Sequence, residues 1–165
     1  MSGSILIVGS HLNYNLEHYT KIAFENLGYR VVFFGYRDFI GRREASMVRM
    51  AISRSNVLRQ LLKSIPLGKM NDKLIDAVSD FQPSLLLSIK GEAILPHTVR
   101  ISEQLGVKTA LWYPDDPRFF GLVKEIAPCY DHVFTASEKA VKLYESIGVD
   151  AKYLPFACEP SVHRK

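Results

Sequence analysis

Leu27-Gly28-Tyr29-Arg30-Val31-Val32, Leu105-Gly106-Val107-Lys108-Thr109-Ala110 and Ile147-Gly148-Val149-Asp150-Ala151-Lys152 share one grammar. Each ends an amphipathic pattern on a glycine and then opens a short run of strand composition. Glycine suits the left-handed residue that closes a helix, and β-branched residues suit the strand that follows. Helix, capping glycine and strand, three times over, argue for βαβ units rather than a helical bundle.

Working outward, Ile5–Val8 is a fully apolar run between Ser4 and Gly9. Arg30–Phe34, Ser84–Ile89, Val107–Trp112, His132–Thr135 and the shorter Ala151–Leu154 give five more expected strands. Between them, Asn15–Leu27, Lys69–Phe81, Pro96–Leu105, Phe119–Ile126 and Glu138–Ile147 carry helical spacing. Apolar strands without polar alternation indicate a parallel sheet covered on both faces. Right-handed crossovers make this a doubly wound, mostly parallel Rossmann-like α/β sheet of about six strands. Residues 1–160 read as one such domain with a helical insertion at 42–65, and 161–165 as a tail or the start of a linker.

Composition agrees. The 165 residues are 47% hydrophobic and 23% charged, which excludes disordered and collagen-like chains. Two cysteines, Cys129 and Cys158, exclude a disulfide scaffold or cysteine-rich zinc module and read as buried or half-buried thiols. No apolar run approaches ~20 residues, and the N-terminus lacks the basic and long apolar regions of a signal peptide. The expected location is cytoplasmic, with a peripheral membrane association left open.

Ligands of open parallel sheets bind at the carboxyl ends of the strands. After the first strand comes Gly9-Ser10-His11-Leu12-Asn13-Tyr14-Asn15, after the third Lys90-Gly91-Glu92, after the fourth Tyr113-Pro114-Asp115-Asp116-Pro117, and after the fifth Ala136-Ser137-Glu138. With the first and fourth strands as expected neighbours, His11 and the Asp115–Asp116 pair share a crevice. The first loop has neither dinucleotide-fingerprint nor P-loop spacing. Ser10 and Asn13 suit an anion or a sugar hydroxyl at a helix N-terminus. The plain alternative is a turn capped by Asn13 or Asn15.

Asp115 suits a general base on a hydroxyl, with His11 as second candidate. Asp116 reads as a substrate contact or as the N-cap of a helix opened by Pro117. Lys90 suits a phosphate, and Glu92 and Tyr113 suit sugar hydroxyls, Trp112 being core and Tyr113 rim. No metal is expected, because no partnering carboxylate or histidine cluster accompanies the aspartates.

The insertion concentrates the basic charge of a chain whose net charge is +4. Arg42, Arg49, Arg59 and Lys63 fall on one side of a helical wheel, opposite Met47, Met50, Leu58, Leu61, Leu62 and Ile65. Such a helix suits an anionic membrane or a phosphate-bearing acceptor. The alternative is a surface helix with a solvated basic face. No nucleic-acid motif accompanies the charge, and nucleic acid is not an expected partner.

These strings resemble the N-terminal domain of GT-B glycosyltransferases, in particular the group related to spore maturation protein CgeB. The residues that carry the likeness are Ile5–Gly9, Asp80–Gly91 and Trp112–Pro117, joined by Tyr130–Thr135 and Leu154–Pro160. The resemblance implies two facing domains, of which the N-terminal one binds the sugar acceptor. The nucleotide-sugar is a co-substrate held by the second domain, and no cofactor is required. The expected function is therefore acceptor binding, inactive without the donor-binding domain. The alternative is a non-catalytic Rossmann-like module for a small anion or nucleotide, its basic helix meeting a membrane or protein. A self-sufficient hydrolase ranks last, since no G-x-S-x-G elbow is present.

Overall fold

The computed structural model describes residues 3–10, 16–39 and 56–159, side chains within 56–66 excepted. Six strands form one sheet: β1 (Ser4–Gly9), β2 (Arg30–Gly35), β3 (Leu85–Ile89), β4 (Lys108–Tyr113), β5 (His132–Thr135) and β6 (Ala151–Tyr153). Every pairing is parallel, in the order β2-β1-β3-β4-β5-β6. Among the described residues four α-helices connect them: α1 (Leu16–Asn26), α2 (Asn56–Phe81), α3 (Pro96–Gln104) and α4 (Glu138–Glu145). The expected α/β class with a six-stranded parallel sheet is the one that forms.

Side chains alternate across the sheet. On one face Leu6, Val8, Leu86, Leu111, Tyr113 and Val133 meet Met70, Leu74 and Val78 of α2, Val99 of α3 and Tyr144 of α4. On the other, Ile5, Ile7, Leu87, Ile89, Ala110 and Trp112 meet Leu16 and Phe24 of α1. Each fully buried aliphatic side chain contributes ~1.5–3 kcal/mol. The layers are unequal because the four connections after β2 all lead the same way along the sheet. Right-handed crossovers then set all four on one face and leave α1 on the other.

The three glycine junctions are built alike. Gly28, Gly106 and Gly148 have φ of 86°, 80° and 77°. In each, the glycine N–H bonds three residues back and the next N–H five residues back, as in Tyr29 to Phe24, Val107 to Ser102 and Val149 to Tyr144. That is the Schellman closure, which satisfies the last carbonyls of the helix.

Four expectations are corrected. The first and fourth strands are not neighbours, because β3 lies between β1 and β4. The point where strand order reverses is therefore the β1/β3 gap. Phe119–Ile126 forms no regular helix but 3-10 turns at Phe120–Leu122 and, just beyond, Ala127–Cys129, closed by bonds such as Leu122 N–H to Phe119 O. Gly121 weakens helix here, and Pro117 and Pro128 bracket the segment. The helix expected at Lys69–Phe81 begins at Asn56, continuing through Pro66 and Gly68. Cys129 is half-buried as expected, but Cys158 is exposed.

Candidate functional site

The carboxyl ends of β1, β2, β3 and β4 converge on one polar cluster. β1 ends on Gly9, over which the Glu17 side chain folds back from the first turn of α1. A Cβ on Gly9 would stand 2.3 Å from Glu17 Cγ, so only glycine leaves room. Glu17 is 2% exposed. Its Oε1 accepts from the Ser10 N–H and from the Ser10 hydroxyl, both at 2.9 Å. Ser10 thus holds a carboxylate in place.

β2 runs into Tyr36, which is buried. Its phenol is raised above the ordinary value, first by burial and then by the field of Glu92, against the opposing field of Arg37. Glu17 and Lys90 also act on it.

After β3, Lys90 has φ of 73° and Gly91 φ of 71°. The left-handed region costs a non-glycine residue roughly 1–2 kcal/mol. Here it is held by the Lys90 N–H bond to Trp112 O and by an ion pair of 2.7 Å from Lys90 Nζ to Asp115 Oδ2. The ammonium is raised, chiefly by that bond to Asp115 and against burial. Gly91 must be glycine twice over, since an added Cβ would also lie 2.6 Å from Leu111 Cδ1.

The rest of this loop is fastened from below. Asn71 of α2, 0% exposed, donates to the carbonyls of Leu67 and Ala93 at 2.8 and 2.9 Å. Its Oδ1 accepts from the Leu95 N–H and the Thr98 hydroxyl at 2.9 and 2.7 Å. All four of its hydrogen-bonding positions are used. They tie α2, the loop after Gly91 and the start of α3 together.

At the end of β4, Tyr113 is 0% exposed, a correction to its expected place on the rim. Trp112 and Tyr113 point to opposite faces, and the Tyr113 face is the one covered by α2, α3 and α4. Its hydroxyl donates toward Glu92 Oε1 at 3.0 Å and the Phe119 carbonyl at 3.2 Å. Burial and then Glu92 push this phenol far up.

Asp115 and Asp116 have separate partners. Asp115 faces Lys90, with both side chains about one-third exposed. Asp116 caps no helix. Its Oδ2 accepts from Thr135 Oγ1 at 3.0 Å and the Tyr144 hydroxyl at 2.8 Å, and its Oδ1 is buried without a partner among the described residues. Its carboxyl is raised by burial, opposed by those two bonds.

Of the residues expected in the site, the structure brings Ser10, Lys90, Glu92, Tyr113, Asp115 and Asp116 to this edge. His11, Asn13, Arg42 and Arg49 lie outside the described residues, as do the side chains of Arg59 and Lys63. Sequence reasoning missed Glu17, Tyr36, Asn71, Thr135 and Tyr144. Tyr36 and Thr135 follow the strand-end rule used for the others, whereas Asn71 and Tyr144 carry no local signal. No group of three side chains able to hold a metal ion occurs among the described residues. Nor is any helix there long and apolar enough to cross a membrane.

The chain matches no protein-family model and no curated protein.

Proposed function

We propose that this domain binds the sugar acceptor of a nucleotide-sugar-dependent glycosyltransferase, with the donor held by a second domain. The observation that carries the reading is the charge balance at the β1/β3 edge. Glu17, Glu92 and Asp115 gather there with Lys90 and Arg37 as the cations whose fields reach Tyr36. Lys90 is already committed to Asp115. A phosphate would meet the carboxylates of Glu92 and Asp115, with Glu17 behind them and Lys90 already paired, whereas a neutral polyol finds carboxylate acceptors at close quarters. This favours the acceptor over the anion-binding module, and it moves Lys90 from a phosphate contact to half of a sugar-binding ion pair.

In the reaction proposed, an acceptor hydroxyl attacks the anomeric carbon of the donor. The new carbon–oxygen bond forms as the bond to the nucleoside diphosphate breaks. Asp115 orients the hydroxyl and takes its proton. Glu92, steadied by Tyr113, accepts from a neighbouring sugar hydroxyl. Asp116 does not meet the acceptor but anchors the Pro114–Pro117 turn to β5 and α4.

The test is ligand-observed NMR and calorimetry with glucose- and N-acetylglucosamine-terminated glycans, UDP-glucose and UDP. Saturable glycan binding, weakened at least tenfold by Asp115→Asn and with no comparable UDP binding, is the expected result. Tight UDP binding with indifference to glycans would overturn the reading.

A further inference from the structure

The turn after β4 carries two exposed apolar side chains, Phe119 at 42% and Leu122 at 60%. The Leu122 N–H bonds the Phe119 carbonyl, so the two belong to one turn. Exposure alone would mean little, since single apolar side chains are common on surfaces. What sets Phe119 apart is its fastening. Its carbonyl accepts from the Tyr113 hydroxyl at 3.2 Å, and the same hydroxyl donates toward Glu92 Oε1 at 3.0 Å. Its N–H bonds the carbonyl of Asp115. The phenyl ring therefore springs from a backbone held against both residues proposed to meet the acceptor.

The chain itself does not cover this ring. The Arg118 guanidinium lies 5.1 Å from the ring centre, and the 42% exposure remains with that cation in place. A pyranose carries C–H groups along one face, which suit the negative face of an aromatic ring, and hydroxyls round its rim. A protein surface laid over the turn would also cover Phe119 and Leu122. It would, however, take the neighbouring Glu92 and Asp115 carboxylates, both now in contact with water, out of it. Burying such charges is costly, whereas a sugar brings hydroxyl donors for them. The carboxylates hold one unit, and a ring set off from them by the length of a side chain meets the next.

We propose that Phe119 is the platform of a second sugar subsite, on which the apolar face of a pyranose rests, and that the acceptor is a glycan of at least two units. The inference rests on the reading of the carboxyl edge as an acceptor site and extends it from a single sugar to a chain.

The probes are methyl β-glucoside against cellobiose, and N-acetylglucosamine against chitobiose, followed by calorimetry and proton NMR. In one of these pairs the disaccharide should bind roughly tenfold more tightly than the single sugar, with protons of one sugar ring shifted upfield by the phenyl. In Phe119→Ala and Phe119→Leu its affinity should fall to that of the single sugar for the wild type, and the upfield shifts should vanish. Phe119→Tyr should keep both. Position 119 is fastened through its backbone, so all three variants retain those bonds, and unchanged thermal midpoints verify this. Single-sugar binding that Asp115→Asn weakens, with no gain from either disaccharide, overturns this proposal and leaves the acceptor reading standing. A gain that survives in Phe119→Leu overturns it too. Absence of any saccharide binding overturns both.

Discussion

Replacing Asn71 by alanine should be the most damaging single truncation on α2. The native side chain makes four hydrogen bonds at 2.7–2.9 Å and is fully buried. The substitution strands the Ala93 carbonyl, the Leu95 N–H and the Thr98 hydroxyl. Each stranded buried group costs ~1–3 kcal/mol. Leu95 is half-buried, so water recovers part of its share. The sum is about 4 kcal/mol, at the upper end of what single substitutions cost. With a urea slope of about 2 kcal/mol/M, the midpoint falls by about 2 M. The assay is urea unfolding followed together by far-ultraviolet dichroism and Trp112 emission. Hydrogen exchange at Leu95 and Thr98 should rise more than exchange in β1. A midpoint shift under about 0.5 M would refute the idea that this side chain fastens the loop. Asn71→Asp sharpens the test, since it keeps the shape but turns acceptor against acceptor at Ala93. Burial raises the introduced carboxyl, so the stability it retains is present below about pH 4 and is lost as pH rises through the folded value.

Two further outcomes are expected. Gly91→Ala forces a side chain into a left-handed residue and against Leu111, and calorimetric unfolding should show a loss of about 1–3 kcal/mol. The acid limb of stability should depend on Asp131 and Asp116 with opposite signs. Asp131 is lowered, first by the Thr109 N–H, so its contribution is present above about pH 4 and is lost as pH falls through its folded value. Asp116 is raised by burial, so its contribution is present below about pH 4 and fades as pH rises through its folded value. Unfolding curves across this range should flatten at their lower end for Asp131→Asn and at their upper end for Asp116→Asn.

Local signals located most of the fold. Gly28, Gly106 and Gly148 mark helix–strand junctions because a left-handed closure leaves glycine few substitutes. Strand order is another matter. Nothing near Leu85 says that its strand inserts beside β1 rather than beyond it, since that choice rests on which apolar faces α2 can cover at once. Lys90, Glu92 and Asp115 were legible as polar residues directly after apolar strands. Tyr36 sits in the same kind of position, but Gly35 reads as a simple stop. Asn71 and Tyr144 were illegible because the partners that give them their roles, Ala93, Leu95 and Thr98 for the one and Asp116 for the other, lie 22–28 positions away, beyond any periodicity. Tyr113 was misplaced because a residue at the end of a strand looks exposed until the layer above it is known.

The central position of β1 also has a temporal side. Ser4 and Ser84 meet across 80 positions, joining the start of β1 to the approach to β3. A ribosome adding ~5–20 residues per second needs roughly 4–16 s to make that stretch. During this interval β1 can pair with β2, which lies close behind it, but its other edge stays bare. An unpaired apolar edge is a template for the wrong strand. β3 to β6 have short connections and close upon themselves readily, so the slow event is the joining of the two halves at the β1/β3 seam. The same seam brings Ser10 and Glu17 of one half beside Lys90, Glu92 and Asp115 of the other, so the polar mouth is complete only once the two halves have joined.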